Sequence, residues 1–466
     1  MSNQSSSGPV PNPVKSFWNA ESRPLDNHRT TPDLPSEADI VIIGSGFAGV
    51  ATAYHILQDS ASPPPSIVLL EARTICSGAT GRNGGHVKPD VYFNIPRYTR
   101  MYGAAAAAEL AAFEAANVLA VKDLVEGEAL DCDFHLTRSL DVYLDAEHAA
   151  QTEEAYRELV KAGLVNLRDV AFIPKEDAER VTGMKGAQCA FSFTAAHLWP
   201  LKMVHQLLGK LLARGLVNAQ ANTPVSSVSS TRDASGRYAV HTARGTIRTP
   251  KVVYATNAYT ESVLPEYAGS IVPVRGTCSH IESPKGRGAP HLVNTYGIRF
   301  GGRVGDFDYL IPRADGSIVV GGARRRFWGS RGRYFGNTRD DELIGEAVSY
   351  FDGYMQRHFR GWEDSQAKTS KVWTGIMGYS SDFVPHVGEV PDKPGQFIIA
   401  GFSGHGMPAI LLSSKGLAAM VRDGVPFGQS GVPRVYQTSK ERITQKTSPL
   451  EESMRPLFEG EQKAKL

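Results

Sequence analysis

Cysteine is scarce in this chain. Its 466 residues hold four, Cys76, Cys132, Cys189 and Cys278, far apart and without a CxxC pair. That spacing argues against a zinc ribbon or a disulfide framework, and no metal site is expected; idle or buried thiols in a reducing compartment fit better. An excess of one charge is also missing. Lys plus Arg number 50 and Asp plus Glu 48, a formal charge of +2, so nothing suggests a nucleic-acid or anionic-membrane role. No run of about 18 apolar residues stands out, and no membrane span is expected. The opening MSNQSSSGPVPNP lacks a basic n-region and an apolar core, so a secretory signal is not expected either. What is present is an ordinary globular composition, 41% hydrophobic and 21% charged. The length is about three times the ~150 residues of a typical domain, which predicts two or three domains with a large core.

Residues 1–36 are rich in Ser, Pro, Asn and Thr and read as an extended arm anchored by Phe17, Trp18 and Leu34. The texture then changes. Residues 38–43 form a short apolar run ending at glycine, 49–58 read as a helix, and 66–71 as a second buried strand, together one βαβ unit. An Ala-rich stretch over 103–126 predicts a helix, from propensity alone. Antiparallel strands around a helix at 149–161 are expected between 131 and 193. A helix over 200–214, strands at 238–242, 245–248 and 252–256, and a hairpin over 309–321 follow. A last buried strand, 397–400, leads into a helix over 409–422, and the tail after 426 reads as an arm.

Gly44-Ser45-Gly46-Phe47-Ala48-Gly49 is a GxGxxG turn. Its glycines permit a tight turn, close approach to a pyrophosphate and close packing of helix on strand, and the helix N-terminus favours the phosphates. Alone the motif is weak. Here a strand precedes it, a helix follows it, and Glu71 ends the next strand, placed to bind an adenosine ribose hydroxyl and to repel a 2′-phosphate. NAD and FAD both satisfy this pattern. The next segment, residues 76–86, is a long loop of small residues, Cys76-Ser77-Gly78-Ala79-Thr80-Gly81-Arg82-Asn83-Gly84-Gly85-His86. Such a loop can lie flat against a large planar ligand, which favours FAD.

With the late Gly401-Phe402-Ser403-Gly404-His405-Gly406-Met407, these elements resemble the D-amino-acid-oxidase-type FAD oxidoreductases. That superfamily contains glycine oxidase, sarcosine oxidases and γ-glutamylputrescine oxidase. The GATGRNGG form of the loop and the Ser16-Phe17-Trp18 arm are most similar to the γ-glutamylputrescine oxidase branch and its fungal relatives. The resemblance covers roughly residues 16–425. It implies an α/β (overall α+β) fold, with a Rossmann-like FAD domain assembled from 37–129, 194–262 and 373–425. A mainly antiparallel substrate domain would come from 130–193 and 263–372, and 426–466 would form a C-terminal arm.

By the same resemblance, the turn from Gly44 to Gly49 would cradle the pyrophosphate, and Glu71, Ala72 and Arg73 would meet the adenosine. Ser77, Ala79, Thr80, Arg82, Asn83, Gly84, Gly85 and His86 would line the ribityl chain and isoalloxazine. Val225 would read the adenine, with Thr256 and Asn257 near the pyrophosphate. Gly404, His405, Gly406 and Met407 would sit at a helix start beside flavin N1 and O2. His405, Arg82 and Met377 are the candidates nearest the chemistry.

Departures from the family pattern are informative. Amino-acid-oxidising members grip the substrate carboxylate with an arginine, and others attach FAD through a cysteine at about the same place; Met377 stands there in this chain. The lysine that some members use for oxygen activation falls near Val319 or Val320. These changes imply non-covalent FAD and an amine substrate without an adjacent carboxylate. Tyr296, Arg299, Phe300, Tyr309, Trp328, Tyr334, Trp373 and Tyr379 are candidate pocket residues, since aromatic walls suit an amine. Arg324-Arg325-Arg326 reads as a solvated turn or as a contact for an acidic substrate.

The expected reaction is hydride transfer from a primary or secondary amine to flavin N5, giving an imine, with dioxygen restoring the flavin and forming hydrogen peroxide. Three alternatives stand beside it. One is an oxidase of a cyclic or N-substituted amino acid (pipecolate, saccharopine or sarcosine type), which an arginine facing the flavin, Arg299 or Arg313, would support. Another is a dehydrogenase passing electrons to a carrier, and the third a flavin-binding protein without catalysis. The final Ala464-Lys465-Leu466 is a close variant of the Ser-Lys-Leu address, so a peroxisomal location and import receptor are expected, with the cytoplasm as the alternative.

Overall fold

The computed structural model describes residues 8–58, 60, 62–284, 289–302, 306–445 and 448–453. Short apolar runs build the central layer. Strands Ile40–Ile43, Ile67–Leu70, Val217–Gln220, Lys251–Tyr254 and Gln396–Ala400 align in parallel, and His386–Glu389 adds an antiparallel edge. Spatially the order is His386–Glu389, Gln396–Ala400, Lys251–Tyr254, Ile40–Ile43, Ile67–Leu70, Val217–Gln220. Alternation decides which way each side chain points. Ile40, Ile42, Ile67 and Leu69 pack with the helices Phe47–Gln58, Pro200–Ala213 and Ile410–Asp423. Val41, Ile43, Val68 and Leu70 pack with Tyr238, Val240 and Ile247 of a small antiparallel sheet. With both faces covered, these strands read as unbroken apolar runs. Each such side chain buried contributes about 1.5–3 kcal/mol before entropy is subtracted.

A second, larger sheet runs Lys368–Ser380, Ile271–Glu282, Ile318–Gly322, Phe307–Pro312, Thr295–Arg299, His135–Tyr143, Cys189–His197, His86–Val87, with Ala171–Ile173 paired beside Cys189–His197. It is antiparallel except where Thr295–Arg299 lies parallel to His135–Tyr143. The whole is a mixed α/β fold with one mainly parallel and one mainly antiparallel sheet. Two of the expected domain junctions, 193/194 and 372/373, fall inside the strands Cys189–His197 and Lys368–Ser380. These strands are continuous because their ladders are: Cys189–His197 pairs with His135–Tyr143 along its full length.

Three features differ from the sequence expectation. A short helix, Ile95–Tyr102, starts with proline in its first turn and had no expected counterpart. The parallel pair noted above stands within a region expected to be antiparallel. The Ala-rich helix is Ala104–Gly127, and by length and composition it is apolar enough to cross a membrane, contrary to expectation. Half of its most apolar window is buried inside the protein. It packs on helices Ile95–Tyr102 and Ile410–Asp423, which accounts for that composition in a globular setting. The arm, from residue 8 onward, lies against the fold with Trp18 as an anchor: Ser16 Oγ donates to Gly81 O (2.7 Å), Val14 N to Asp340 O (2.8 Å), and Trp18 is fully buried.

Candidate active site

The carboxyl ends of parallel strands, where the backbone leaves the sheet, are where α/β folds bind ligands. A cleft of about 850 Å³ opens there, between the two sheets. One wall is the glycine turn, the end of the second strand and residues 255–259; the other is formed by residues 276–278, 307–309, 322–324 and 375–377.

The turn is set by backbone crowding. Gly44 has φ +107°, and a Cβ there would lie 2.5 Å from Ala255 O. A Cβ on Gly49 would lie 1.9 Å from Gly44 O, so only glycine lets helix Phe47–Gln58 start this close to its strand. Glu71 braces the turn: its Oε2 accepts from Ser45 N (3.1 Å) and Ser45 Oγ (2.7 Å), and its Oε1 from Arg73 N (3.0 Å). Phe47 N donates to Thr80 Oγ1 (3.0 Å), which ties the turn to the small-residue loop. Val50 N donates to Gly46 O (3.1 Å), which leaves the N–H groups of Ala48 and Gly49 at the helix start as an anion site.

The loop at 76–86 is held by Arg82. Its guanidinium donates to Ser77 O (3.1 Å), Thr374 O (2.6 Å) and Val14 O (2.5 Å), and pairs with Asp340 at 3.3 Å. The donor groups are spent on structure, so Arg82 is a positioning residue and not the catalytic group expected. Asp340, itself without exposure, also pairs with Arg73 at 2.9 Å. Gly84 explains itself across the cleft, since a Cβ there would be 2.1 Å from the Tyr309 ring. Tyr309 is likewise crowded against Gly321 on the neighbouring strand, and its hydroxyl lies 3.2 Å from Cys278 Sγ. Burial pushes the Tyr309 phenol well above its ordinary pKa and the Cys278 thiol up to about 11, so both stay protonated at neutral pH.

His405 lines the cleft, and its Nε2 lies 2.8 Å from Glu114 Oε2. Burial opposes charging this ring, but the Glu114 carboxylate outweighs burial and its pKa is raised. Glu114 also accepts from Asp90 N (2.6 Å). Three residues along the same helix, Asn117 Nδ2 donates to Met407 O (3.2 Å) and its Oδ1 accepts from Leu412 N (2.9 Å). The Ala-rich helix therefore clamps the loop that leads into helix Ile410–Asp423. Its two buried polar residues, Glu114 and Asn117, were the readable signal that propensity alone did not explain it. His86 Nε2 meets Thr295 Oγ1 (2.8 Å), and burial holds its pKa well below the ordinary value.

The cleft collects many of the expected residues. Gly44, Gly46, Phe47, Ala48, Glu71, Ala72 and Arg73 line it at one end. Ala79, Thr80, Arg82, Asn83, Gly84, His86, Val225, Thr256 and Asn257 line it further along. Met377, Gly404, His405, Gly406, Met407 and Tyr309 close the other end. Ser45, Gly49, Ser77 and Gly85 are not part of the lining and support those that are.

The aromatic assignments need correction. Trp373 is core, with its indole N–H on Arg82 O (2.7 Å). Tyr296 donates to Thr182 O (3.0 Å) inside the second core, and Trp328 stacks on Tyr334 there. Phe300 packs under the Arg325 guanidinium. Tyr379 is buried and reaches the cleft through its hydroxyl contact with Arg324 (3.3 Å). Arg299 is caged by Phe93 and Phe307, and Arg313 by Trp18 and Trp199. Neither faces the cleft. Large aromatics are core residues by default because of the area they bury. Lining residues missed by sequence reading are Pro9, Pro11, Asn12 and Pro13 of the arm, Tyr259 and Thr277, while of the arginine turn at 324–326 Arg324 alone lines the cleft. Among the described residues no cluster of His, Cys, Asp or Glu is suited to a metal.

A mainly parallel sheet with a glycine turn, an acid at the end of the second strand and a long cleft against an antiparallel sheet defines a dinucleotide-dependent enzyme. The chain belongs to the DAO family of FAD dependent oxidoreductases, which it matches over residues 39–420. It is similar to γ-glutamylputrescine oxidoreductase of Escherichia coli (strain K12), 25% identical over 400 residues, 82% of this chain and 83% of that protein. In fold it is similar to glycine oxidase from Geobacillus kaustophilus (TM-score 0.67, 17% identity, 87% of this chain and 99% of the other). L-proline dehydrogenase from P. horikoshii gives TM-score 0.67 at 20% identity, over 87% and 97% of the two chains. The residues fit FAD: the glycine turn suits a pyrophosphate and Glu71 a ribose. Tyr259 and Thr277 keep buried hydroxyls with no hydrogen-bond partner among the described residues.

Proposed function

We propose that this protein oxidises a C–N bond in a primary or secondary amine. The observation that carries the reading is the wall facing the glycine loop, built from Phe307, Tyr309, Met377 and Phe402, with a thioether where a carboxylate-gripping arginine was looked for. The names of the similar proteins, which refer to nitrogen-bearing substrates, support it. Bound in the cleft, FAD would accept a hydride from the carbon attached to nitrogen, and dioxygen would take the two electrons, with two protons, onward as hydrogen peroxide. The protein's own groups orient and desolvate the amine. A substrate must be neutral at nitrogen to release hydride, and the cations Lys88 and Arg324 disfavour an ammonium in this cleft. The imine produced is hydrolysed by water to a carbonyl compound and an amine or ammonia.

The test is the visible spectrum of the FAD-loaded protein mixed anaerobically with amines and then opened to air. Bleaching by amines with rapid recovery in air is expected. Recovery only with an added electron carrier would make the enzyme a dehydrogenase, and no bleaching by any amine would refute the reading. We further propose that Ala464-Lys465-Leu466, which lies outside the described residues, carries a peroxisomal address. A fluorescent fusion ending in this tripeptide should become punctate, and its removal should leave the signal diffuse.

A further inference from the structure

Residues 8–14 of the arm are Gly-Pro-Val-Pro-Asn-Pro-Val, with three prolines and no charge. Proline fixes φ near −65° and has no N–H, so such a segment stays extended and carries few amide donors in need of partners. Pro9, Pro11, Asn12 and Pro13 line the cleft, along with Glu71 and Arg73. Pro11 and Asn12 are exposed, so little of the described chain covers them. This stretch is therefore a thin part of the cleft wall, with no carboxylate to oppose a pyrophosphate.

Both ends of the stretch are fastened. Val10 O accepts from Arg73 Nη1 (3.2 Å), just beyond Glu71 at the end of the second parallel strand. Val14 O accepts from Arg82 Nη2 (2.5 Å), and Val14 N donates to Asp340 O (2.8 Å). The arm then follows the small-residue loop, where Ser16 Oγ donates to Gly81 O (2.7 Å) and Trp18 Nε1 to Asn83 O (2.5 Å). From Val10 to Val14 an extended chain spans at most about 14 Å. Asn12 bends it at φ +55°, a conformation that Asn tolerates. The arm thus crosses from the glycine loop to the acid at the end of the second strand. Tyr259, close to the same Arg73–Asp340 pair, lines the cleft, and its buried hydroxyl has no hydrogen-bond partner among the described residues. Burial holds this phenol above its ordinary pKa although Arg73 pulls it down, so at neutral pH it keeps its proton and can donate. A free donor beside this stretch points to a ligand oxygen there.

We propose that residues 8–14 are part of the FAD site, a strap that closes over the nucleotide half of the cofactor and must lift before FAD can leave. The proposal concerns the cofactor alone and does not depend on which substrate is oxidised. A strap that retains FAD is itself retained by FAD, because the coupling between two binding events is reciprocal. FAD should therefore protect the arm, and a looser strap should release FAD sooner. The prolines set how loose it is. Glycine in their place removes no hydrogen-bond donor or acceptor, but it enlarges the conformational freedom that the strap loses on closing.

Lys15 is the first Lys or Arg in the chain and directly follows the strap, so trypsin acting there releases residues 1–15 as one peptide. Mass spectrometry follows that peptide from full-length wild type with and without FAD. FAD should slow its release by about tenfold, since cleavage requires the arm to open locally. The second measurement is the rate at which FAD passes from the protein to an excess of a scavenging apoflavoprotein, read by flavin fluorescence. The full-length variant Pro9→Gly/Pro11→Gly/Pro13→Gly should lose FAD about tenfold faster than wild type. An arm that serves only the stability of the fold would lower the thermal midpoint of this variant and leave its rate of FAD loss at the wild-type value. That result, or equal release of residues 1–15 with and without FAD, would overturn the proposal. Should the variant fail to fold, the cleavage of wild type decides alone.

Discussion

Gly49→Ala is expected to yield protein that has lost most of its FAD. The added methyl would sit 1.9 Å from Gly44 O and 3.1 Å from Gly44 C, both backbone atoms that cannot rotate away. Relief requires the helix Phe47–Gln58 to retreat from its strand. Gly44 cannot absorb the shift, because it is already close to Ala255 and holds φ +107°. Overpacking of this kind costs about 1–3 kcal/mol in stability. Displacement of the first-turn N–H groups from the pyrophosphate should cost FAD affinity by at least about tenfold, or about 1.4 kcal/mol. The ratio of flavin to protein absorbance after gel filtration, together with the thermal midpoint, checks this. Gly329→Ala is the control, since no atom lies within 4 Å of its built Cβ. Full flavin content in Gly49→Ala would mean that the turn does not hold the cofactor.

Asp340→Ala should be the most destabilising of the ionic substitutions. The carboxylate is wholly buried and receives Arg73 Nη1 at 2.9 and 3.2 Å, Arg73 Nη2 at 3.2 Å and Arg82 Nε at 3.3 Å. Its removal leaves two buried guanidinium groups facing each other without a counter-charge, which costs about 3–5 kcal/mol. Arg82 also fastens the glycine loop to Val14 of the arm and to Thr374 of the large sheet, so the damage should spread to the cleft wall. Urea unfolding should show a lower midpoint with an unchanged slope, and limited proteolysis should cut the arm earlier. A stability loss below about 0.5 kcal/mol would be within the range of an ordinary surface substitution and would show that Asp340 does not carry this network.

Both substitutions probe contacts of a kind that sequence reading treats very differently. The glycine turn, Glu71 and the small-residue loop were legible because their constraints are local. A left-handed φ, a missing Cβ and a strand followed by a helix within thirty or so residues leave a pattern in the order of residues. Helix and strand positions were legible for the same reason, with ends displaced by a residue or two: the helix expected over 200–214 is Pro200–Ala213, and the strand expected over 397–400 is Gln396–Ala400.

The sequence by itself thus determined the cofactor class, the nucleotide turn and the alternation of the two kinds of sheet. Only the tertiary structure decided which polar groups meet. Glu114 and His405 lie 291 residues apart, Arg82 and Thr374 292, and Arg324 and Tyr379 55. Nothing in residue order distinguishes Arg324, which enters the cleft, from Arg299, which is caged by aromatic rings. Trp373 and Tyr309 are equally plausible pocket aromatics in sequence, yet one is buried behind the wall and the other forms it. The physical reason is that side-chain partners across two sheets depend on register and on the sharp turn at Gly322 and Ala323, and these are set by packing over the whole chain and not by neighbours along it.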